Sequence, residues 1–146
     1  MEDLRYVADR IALTDVMLKY AKGVDQRDLA LYASVFAEDV EIVGFGAETH
    51  RGRDTWVAYV VEALKKFGPT QHMLGPQLAT IDGDTAHCRT DVQAHHYMKD
   101  APSRTLTLWA TYNTDMKRID GEWKIVRHEL EPRGTRIQED ADGDAV

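Results

Sequence analysis

The sequence predicts an α+β fold in which one layer of helices packs on a curved, mostly antiparallel sheet. Two observations support this class. Apolar residues recur at helical spacing in the first half of the chain, and alternating runs separated by turns fill the second half. Asp82-Gly83 and Asp120-Gly121 are such turns, because both dipeptides favour tight β-hairpins. At 146 residues, with no repeats or internal linkers, the chain is expected to form one domain.

Three helices are predicted in the first half. The first presents an apolar stripe made of Leu4, Val7, Ala8, Ile11, Leu13, Met17, Tyr20 and Val24. Because Gly23 weakens a helix, the first helix is expected to end near Lys22. Asp28 has the side chain of an N-cap for a short second helix. The third helix is expected to begin near Arg53 and to stop at Gly68-Pro69.

The predicted strands leave the orientation of two adjacent histidines open. Strands are expected at 40–45 and at about 70–81, 84–99, 104–118 and 122–130. Side chains alternate across a strand, so His95 and His96 must point to opposite faces of the sheet. The even positions of that strand are mostly apolar and the odd positions are polar. Spacing alone therefore favours His96 as a packed core residue and His95 as exposed.

Composition and charge exclude several function classes. The net charge of −7 argues against unaided nucleic-acid binding, although more than half of it lies in the last eight residues. No apolar run approaches the roughly 20 residues of a membrane span, and the N-terminus has no signal-peptide pattern. The single Cys88 cannot form an internal disulfide, which favours a reducing, cytoplasmic location. One domain is expected at residues 1–135, followed by an acidic, disordered tail at 136–146.

The candidate chemistry lies in an acid and two histidines on three different predicted elements. Taken singly, Asp25 reads as a turn or cap residue and His72 as a structural histidine. Taken together with His95, they predict a proton-transfer site that needs no metal and no cofactor. A buried carboxylate that holds one imidazole nitrogen leaves the other nitrogen free as a base. Phosphate-binding glycine loops, cysteine clusters and nucleophile elbows are not found in the sequence.

From about Ile11 to Arg133, the chain resembles a known group of small α+β proteins. The resembling motifs are Asp25-x-x-Asp28, Phe36-Ala37-x-Asp39, Gly52, Thr70-Gln71-His72, His95 before Lys99-Asp100, and Ile119-Asp120-Gly121-x-Trp123. They are similar to the SnoaL-like branch of the nuclear-transport-factor-2-like superfamily, with scytalone dehydratases as the nearest comparison. The Thr-Gln-His element and its spacing to the second histidine are the specific parts of the resemblance.

The resemblance implies a cone-shaped barrel whose bent sheet wraps around a pocket closed by the helices. It assigns Asp25 as the acid that orients His72, the base, and it places His95 in the pocket, against the spacing argument. Two tyrosines of the scytalone dehydratases fall at Val24 and Gly44, which cannot replace them. Carbonyl polarisation is therefore expected to fall to Tyr20, which matches a tyrosine of bile-acid dehydratases, or to Tyr112 at a family asparagine position.

The leading hypothesis is a cofactor-free lyase, of dehydratase or isomerase type, acting on a small hydrophobic cyclic or aromatic carbonyl compound. The expected catalytic residues are Asp25, His72, His95 and Tyr20, and the expected substrate contacts are Tyr112, Tyr59, Met73, Leu108 and Trp109. The alternatives are a non-catalytic small-molecule-binding protein and a protein-interaction module. No nucleic-acid or membrane partner is expected. A homodimer or homotrimer is expected, because Val92, Met98, Val126 and Leu130 would otherwise be wetted if His95 faced the pocket.

Overall fold

The structure is a computed structural model that describes residues 2–139. Its elements are α1 (Glu2–Asp25), α2 (Leu29–Ser34), β1 (Phe36–Val43), β2 (His50–Arg51), α3 (Arg53–Leu64), β3 (Phe67–Leu74), β4 (Leu78–Asp82), β5 (Thr85–Met98), β6 (Arg104–Ile119) and β7 (Glu122–Glu139). The strands form one sheet in the order β2-β1-β7-β6-β5-β3, and β4 also pairs with β5. All pairings are antiparallel except β1 with β7. The predicted α+β class with a bent, mostly antiparallel sheet is confirmed.

Two strand predictions need correction. The single strand expected at 70–81 is two strands, because Gly75-Pro76 interrupts the pairing after Leu74. The last strand is longer than expected and runs to Glu139 alongside β6. Residues 136–139 of the predicted tail therefore belong to β7, and residues 140–146 lie outside the described part of the chain.

Helix α1 carries apolar residues on two sides. Leu13, Met17, Tyr20 and Val24 are buried against the sheet and α2, as the predicted stripe requires. Leu4, Val7 and Ile11, expected in the same stripe, are instead exposed on the opposite side of the helix. A 3.6-residue period distinguishes a helix from a strand, but when two sides are apolar it does not say which side faces the core.

Gly23 does not end α1, because the helix continues to Asp25. A Cβ at Gly23 would lie 2.8 Å from the backbone N and Cα of Tyr32 in α2. Glycine is present because the two helices pack too closely for any side chain there. The helix continues past this close contact to Asp25, so the carboxylate lies at the end of α1, next to the sheet.

Replacing Gly23 with Ala tests this close approach. Alanine gains roughly 1 kcal/mol of helix propensity, but the new methyl overlaps backbone atoms that cannot rotate away. Overpacking of this kind costs about 1–3 kcal/mol, so we expect a net loss of about 1 kcal/mol in the free energy of unfolding, measured in urea. The matched control is Gly134→Ala, where nothing lies within 4 Å. Equal or higher stability of Gly23→Ala would contradict the packing argument.

Two of the four apolar residues that were expected to be wetted are buried, which weakens one argument for self-association. Val92 and Leu130 are buried on the helix side of the sheet, so they form no wetted apolar set. The outer face instead carries ion pairs such as Arg133–Glu131 and Arg127–Glu41. The expectation of a homodimer or homotrimer remains a prediction without that support.

Candidate active site

Asp25 and His72 meet where the end of α1 lies against β3. The Nδ1 atom of His72 is 2.7 Å from Oδ1 of Asp25, and the backbone N–H of His72 donates to Oδ2 at 2.7 Å. One carboxylate thus holds both the ring and the backbone of the same residue. The predicted convergence of the acid and the first histidine is present.

A third donor completes the hydrogen bonding of the carboxylate. The hydroxyl of Thr70 donates to Oδ1 of Asp25 at 3.0 Å. Burial raises the pKa of Asp25, and the bonds from His72 and Thr70 more than offset it, so this pKa lies below its ordinary value. An ionised carboxylate only accepts hydrogen bonds, so Nδ1 of His72 must carry its proton. The tautomer of His72 follows from its surroundings.

The other ring nitrogen of His72 is free. Among residues 2–139, no group forms a hydrogen bond with Nε2 of His72, although the side chain is only 9% exposed and that of Asp25 only 19%. A neutral imidazole whose Nδ1–H is fixed presents its lone pair at Nε2. The pair therefore has the arrangement of a general base in a largely desolvated place.

The second histidine of the site is His96, and the placement of His95 in the pocket is corrected. In the β3–β5 register, His96 lies opposite Thr70 and His95 opposite Gln71. Thr70 and His72 share the inner face of β3, so His96 lies with them and His95 lies outside. The ring of His95 bonds the hydroxyl of Thr107 on the outer face. The spacing argument put each histidine on the correct face, although both are half-buried rather than one core and one exposed. The resemblance assigned the pocket position to His95, one residue away from His96.

The surroundings of His96 make it a hydrogen-bond acceptor and not a proton donor at rest. Its ring centroid lies 5.8 Å from that of His72 and 4.6 Å from that of Phe67. Its Nδ1 lies 3.0 Å from the carbonyl of Leu106, which can only accept, so the proton is on Nδ1. Burial lowers the pKa of His96 below its ordinary value. His96 is therefore neutral near pH 7 and offers an acceptor at Nε2.

Tyr20 and Tyr112 lie deeper in the core, with their rings 5.4 Å apart. Both side chains are almost fully buried, and burial raises the pKa of each hydroxyl well above its ordinary value. The carboxylate of Asp25 adds to the rise for Tyr112, which places the two in one electrostatic neighbourhood. Both phenols stay protonated, so both are able to donate hydrogen bonds.

The sequence analysis missed His128, which is fully buried beside these tyrosines. Its Nε2 lies 3.2 Å from the hydroxyl of Tyr20, and its Nδ1 lies 2.9 Å from the hydroxyl of Thr114. Burial lowers the pKa of His128 to about 3. The imidazole is therefore neutral in the folded protein, and both of its nitrogens are satisfied.

The buried His128 predicts a loss of stability in acid. Its pKa is about 3 folded and about 6.5 unfolded, so below pH 6.5 only the unfolded chain takes up this proton. We expect His128 to cost roughly 1.4 kcal/mol of unfolding free energy for each pH unit between about 6.5 and 3. His96 adds to this loss of stability, and Asp25 adds to it only below about pH 4. The contribution of His128 is therefore the difference in pH slope between the wild type and His128→Gln. Identical pH slopes from urea titrations of the two proteins would contradict the prediction.

The predicted substrate contacts divide between the two faces. Leu108 lies opposite Ala94 on the inner face, next to His72 in the register, and Tyr112 is also inside. Met73 is 60% exposed on the outer face, and Trp109 lies outside near Arg136. The assignments of Met73 and Trp109 as pocket residues are therefore corrected.

The fifth predicted contact, Tyr59, is on α3 and is partly exposed. Its ring stacks on that of Trp56 at 5.4 Å and lies 4.3 Å from the ring of His50. No contact joins Tyr59 to His72 or His96 among the hydrogen bonds and ring pairs of residues 2–139.

The cysteine of the chain is buried in the core. Burial raises the pKa of the Cys88 thiol to about 11, so Cys88 is a core residue and not a nucleophile. Within residues 2–139, no three His, Cys, Asp or Glu side chains are grouped to hold a metal ion. None of the helices in that range is both long and apolar enough to cross a membrane.

A bent sheet with helices over one face, and an acid–histidine pair between them, places this protein in the nuclear-transport-factor-2-like class. The chain belongs to the SnoaL-like family, since the SnoaL-like domain matches residues 5–129. An uncharacterized protein of Mycobacterium tuberculosis is 28% identical over 124 residues, which cover 83% of each chain.

Solved structures share the whole fold. A candidate scytalone dehydratase from Novosphingobium aromaticivorans is 25% identical, with a TM-score of 0.84 over 93% of this chain and 91% of that one. A hexachlorocyclohexane dehydrochlorinase from Novosphingobium barchaimii has a TM-score of 0.84, with 21% identity over 93% of this chain and 94% of that one. At 21% identity, the similarity to the dehydrochlorinase shows a shared fold only.

Proposed function

We propose that this protein is a cofactor-independent lyase or isomerase that removes a proton next to a carbonyl group. The observation that carries this proposal is the set of three donors on Asp25, which fixes His72 with Nδ1–H and leaves Nε2 unpaired. The chain's resemblance to the scytalone dehydratases and the fold it shares with the dehydrochlorinase support the same type of chemistry.

In the first step, Nε2 of His72 takes the proton, and the C–H electrons move into the carbonyl to form an enolate. The imidazolium that forms is stabilised by the carboxylate of Asp25. Tyr20 and Tyr112 are the neutral donors that could hydrogen-bond the enolate oxygen. Stabilising such an oxyanion is often the largest electrostatic contribution to catalysis.

In the second step, the enolate electrons return and expel a group from the β carbon, leaving a conjugated double bond. For a hydroxyl group, the imidazolium of His72 returns its proton and water departs. For an isomerisation, the same proton goes to another carbon. Because His96 is neutral at rest, it is not the acid for this step. His72 therefore does both transfers, which restores the enzyme without a cofactor.

The surroundings of His72 favour a small hydrophobic substrate. Ala94 and Leu108 lie beside His72 on the inner face, and Phe67 covers His96. His96 presents an acceptor at Nε2, which suits a hydroxyl group of the substrate. A cyclic or aromatic carbonyl compound with a β-hydroxyl group matches these features.

The proposal is tested with a panel of cyclic and aromatic β-hydroxy ketones. We expect the wild-type protein to convert one or more of them to a conjugated enone, followed by ultraviolet absorbance and mass loss of water. His72→Ala should show no conversion while keeping its circular dichroism spectrum. Saturable binding without product across the panel would instead support the non-catalytic binding protein.

A further inference from the structure

Arg27 has a backbone conformation that an arginine rarely adopts. It follows α1 with φ of +57°, in the left-handed region where side chains other than glycine are uncommon. Such a conformation persists only where the surroundings impose it, and it often marks a functional site. The contacts of the Arg27 side chain show what this backbone conformation makes possible.

The guanidinium of Arg27 joins the end of α1 to β3. Its Nη1 donates to the carbonyl of Val24 at 2.8 Å and to the hydroxyl of Thr70 at 2.9 Å. Its Nη2 donates to the carbonyl of Gly68 at 2.6 Å. A planar fork is needed to reach three acceptors on two elements, and lysine has no such fork.

The bond to Thr70 decides where the hydroxyl proton of Thr70 points. A threonine hydroxyl has one proton and two lone pairs. Since Arg27 donates to the oxygen, the proton is left for another acceptor, and that acceptor is Oδ1 of Asp25. Without Arg27, the Thr70 oxygen would lose this donor, and its proton would be less confined to the direction of Oδ1 of Asp25.

We propose that Arg27 is a positioning residue, which aims the Thr70 hydroxyl at Asp25 and so favours the ionised carboxylate that holds His72. Arg27 does not bond Asp25, and it acts through Thr70. Its effect on catalysis rests on the proposed function, but its effect on the Asp25 carboxyl does not.

The tautomer is measured by ¹⁵N NMR of the imidazole of His72, and the carboxyl of Asp25 is titrated by ¹³C NMR. In the wild type, we expect the proton on Nδ1. In Arg27→Gln and Thr70→Val, we expect the proton to stay on Nδ1, because the ionised Asp25 still accepts it, and we expect the Asp25 carboxyl to titrate at higher pH. Because Arg27 acts through Thr70, the double variant should match Thr70→Val. For a substrate that the wild type turns over, kcat should fall about tenfold with KM little changed.

Two controls separate positioning from folding. Arg27→Gly relieves the strained backbone and removes the side chain, so it should keep the fold and still raise the pH at which the Asp25 carboxyl titrates. Asp120→Gly relieves the same kind of strain at φ of +50°, far from the site, and should leave the Asp25 titration unchanged. Thr90→Val removes a buried hydroxyl that has no partner among residues 2–139 and should also leave the Asp25 titration unchanged.

An unchanged titration of the Asp25 carboxyl in Arg27→Gln, or additive effects in the double variant, would overturn the proposal. Because the NMR readings need no turnover, they decide it even if every ketone in the panel fails. Failure of the panel would then count against the proposed function alone.

Discussion

Replacing Asp25 with Asn is expected to lower kcat by about 10²–10⁴-fold without unfolding the protein. An amide has one acceptor and one donor end, whereas Asp25 accepts from the backbone of His72, the ring of His72 and Thr70. The oxygen of Asn can serve only one side of this set. When it accepts the backbone N–H, its NH₂ faces Nδ1 of His72 and forces that nitrogen to accept. The proton of His72 then moves to Nε2, and the base is lost.

Asp28→Asn is the matched control for that substitution. Asp28 caps α2 through a bond from the backbone N–H of Leu31, and Asn caps a helix equally well. The same chemical change three residues away should therefore leave activity and stability almost unchanged. Wild-type turnover by Asp25→Asn would show that the carboxylate does not set the tautomer of His72.

The largest expected loss of stability comes from Gly44→Ala. Gly44 has φ of +87°, and a Cβ there would lie 2.2 Å from the carbonyl oxygen of Leu130 in β7. Neither backbone has room to move, because β1 and β7 are paired next to this contact. We expect a loss of about 3 kcal/mol in the free energy of unfolding, measured in urea. The same contact excludes any side chain where the scytalone dehydratases carry a tyrosine.

Gly121→Ala separates the steric contact from the backbone strain. Gly121 has φ of +83°, and a Cβ added there would meet nothing within 4 Å, so alanine should cost only about 1 kcal/mol. The difference between the two variants is the cost of the contact with Leu130. Equal losses in both would mean that the loop carrying Gly44 yields, and the close approach would then have no energetic weight.

Much of the fold and half of the site could be predicted from local patterns. Asp82-Gly83 and Asp120-Gly121 marked two hairpins because turn chemistry depends on neighbouring residues only. The even positions of β5 were predicted to be core, and those from Ala86 to Ala94 are buried, while His96 and Met98 are half-buried. That pattern already placed His96 on the inner face. The resemblance assigned the pocket position to His95 instead, because a motif fixes spacing only approximately, whereas side chains alternate strictly along a strand.

His128 could not be predicted because β7 changes register within its length. Trp123 and Ile125 point inward at odd positions, whereas His128 and Leu130 point inward at even ones. The pairing with β6 is irregular between Asp115 and Met116, which provides the extra residue. Hydrophobic alternation assumes an unbroken strand, so it assigned no role to a histidine just beyond the irregularity.

Arg27 was equally hidden from sequence reasoning. Its role depends on a left-handed backbone and on acceptors 41 and 43 residues away in the chain. The Asp25-x-x-Asp28 spacing predicted a turn, and the structure shows that residues inside the turn join the helix end to the sheet. Contacts of this range follow from the tertiary fold and leave no local periodicity.

The central claim is that His72, held by Asp25, removes a proton from carbon next to a carbonyl group. Hydrogen–deuterium exchange at that carbon in D₂O, followed by ¹H NMR on cyclic ketones, measures this step without requiring a leaving group. We expect exchange catalysed by the wild-type protein and reduced to the uncatalysed rate in His72→Ala. Exchange at equal, protein-dependent rates in both proteins would contradict the claim.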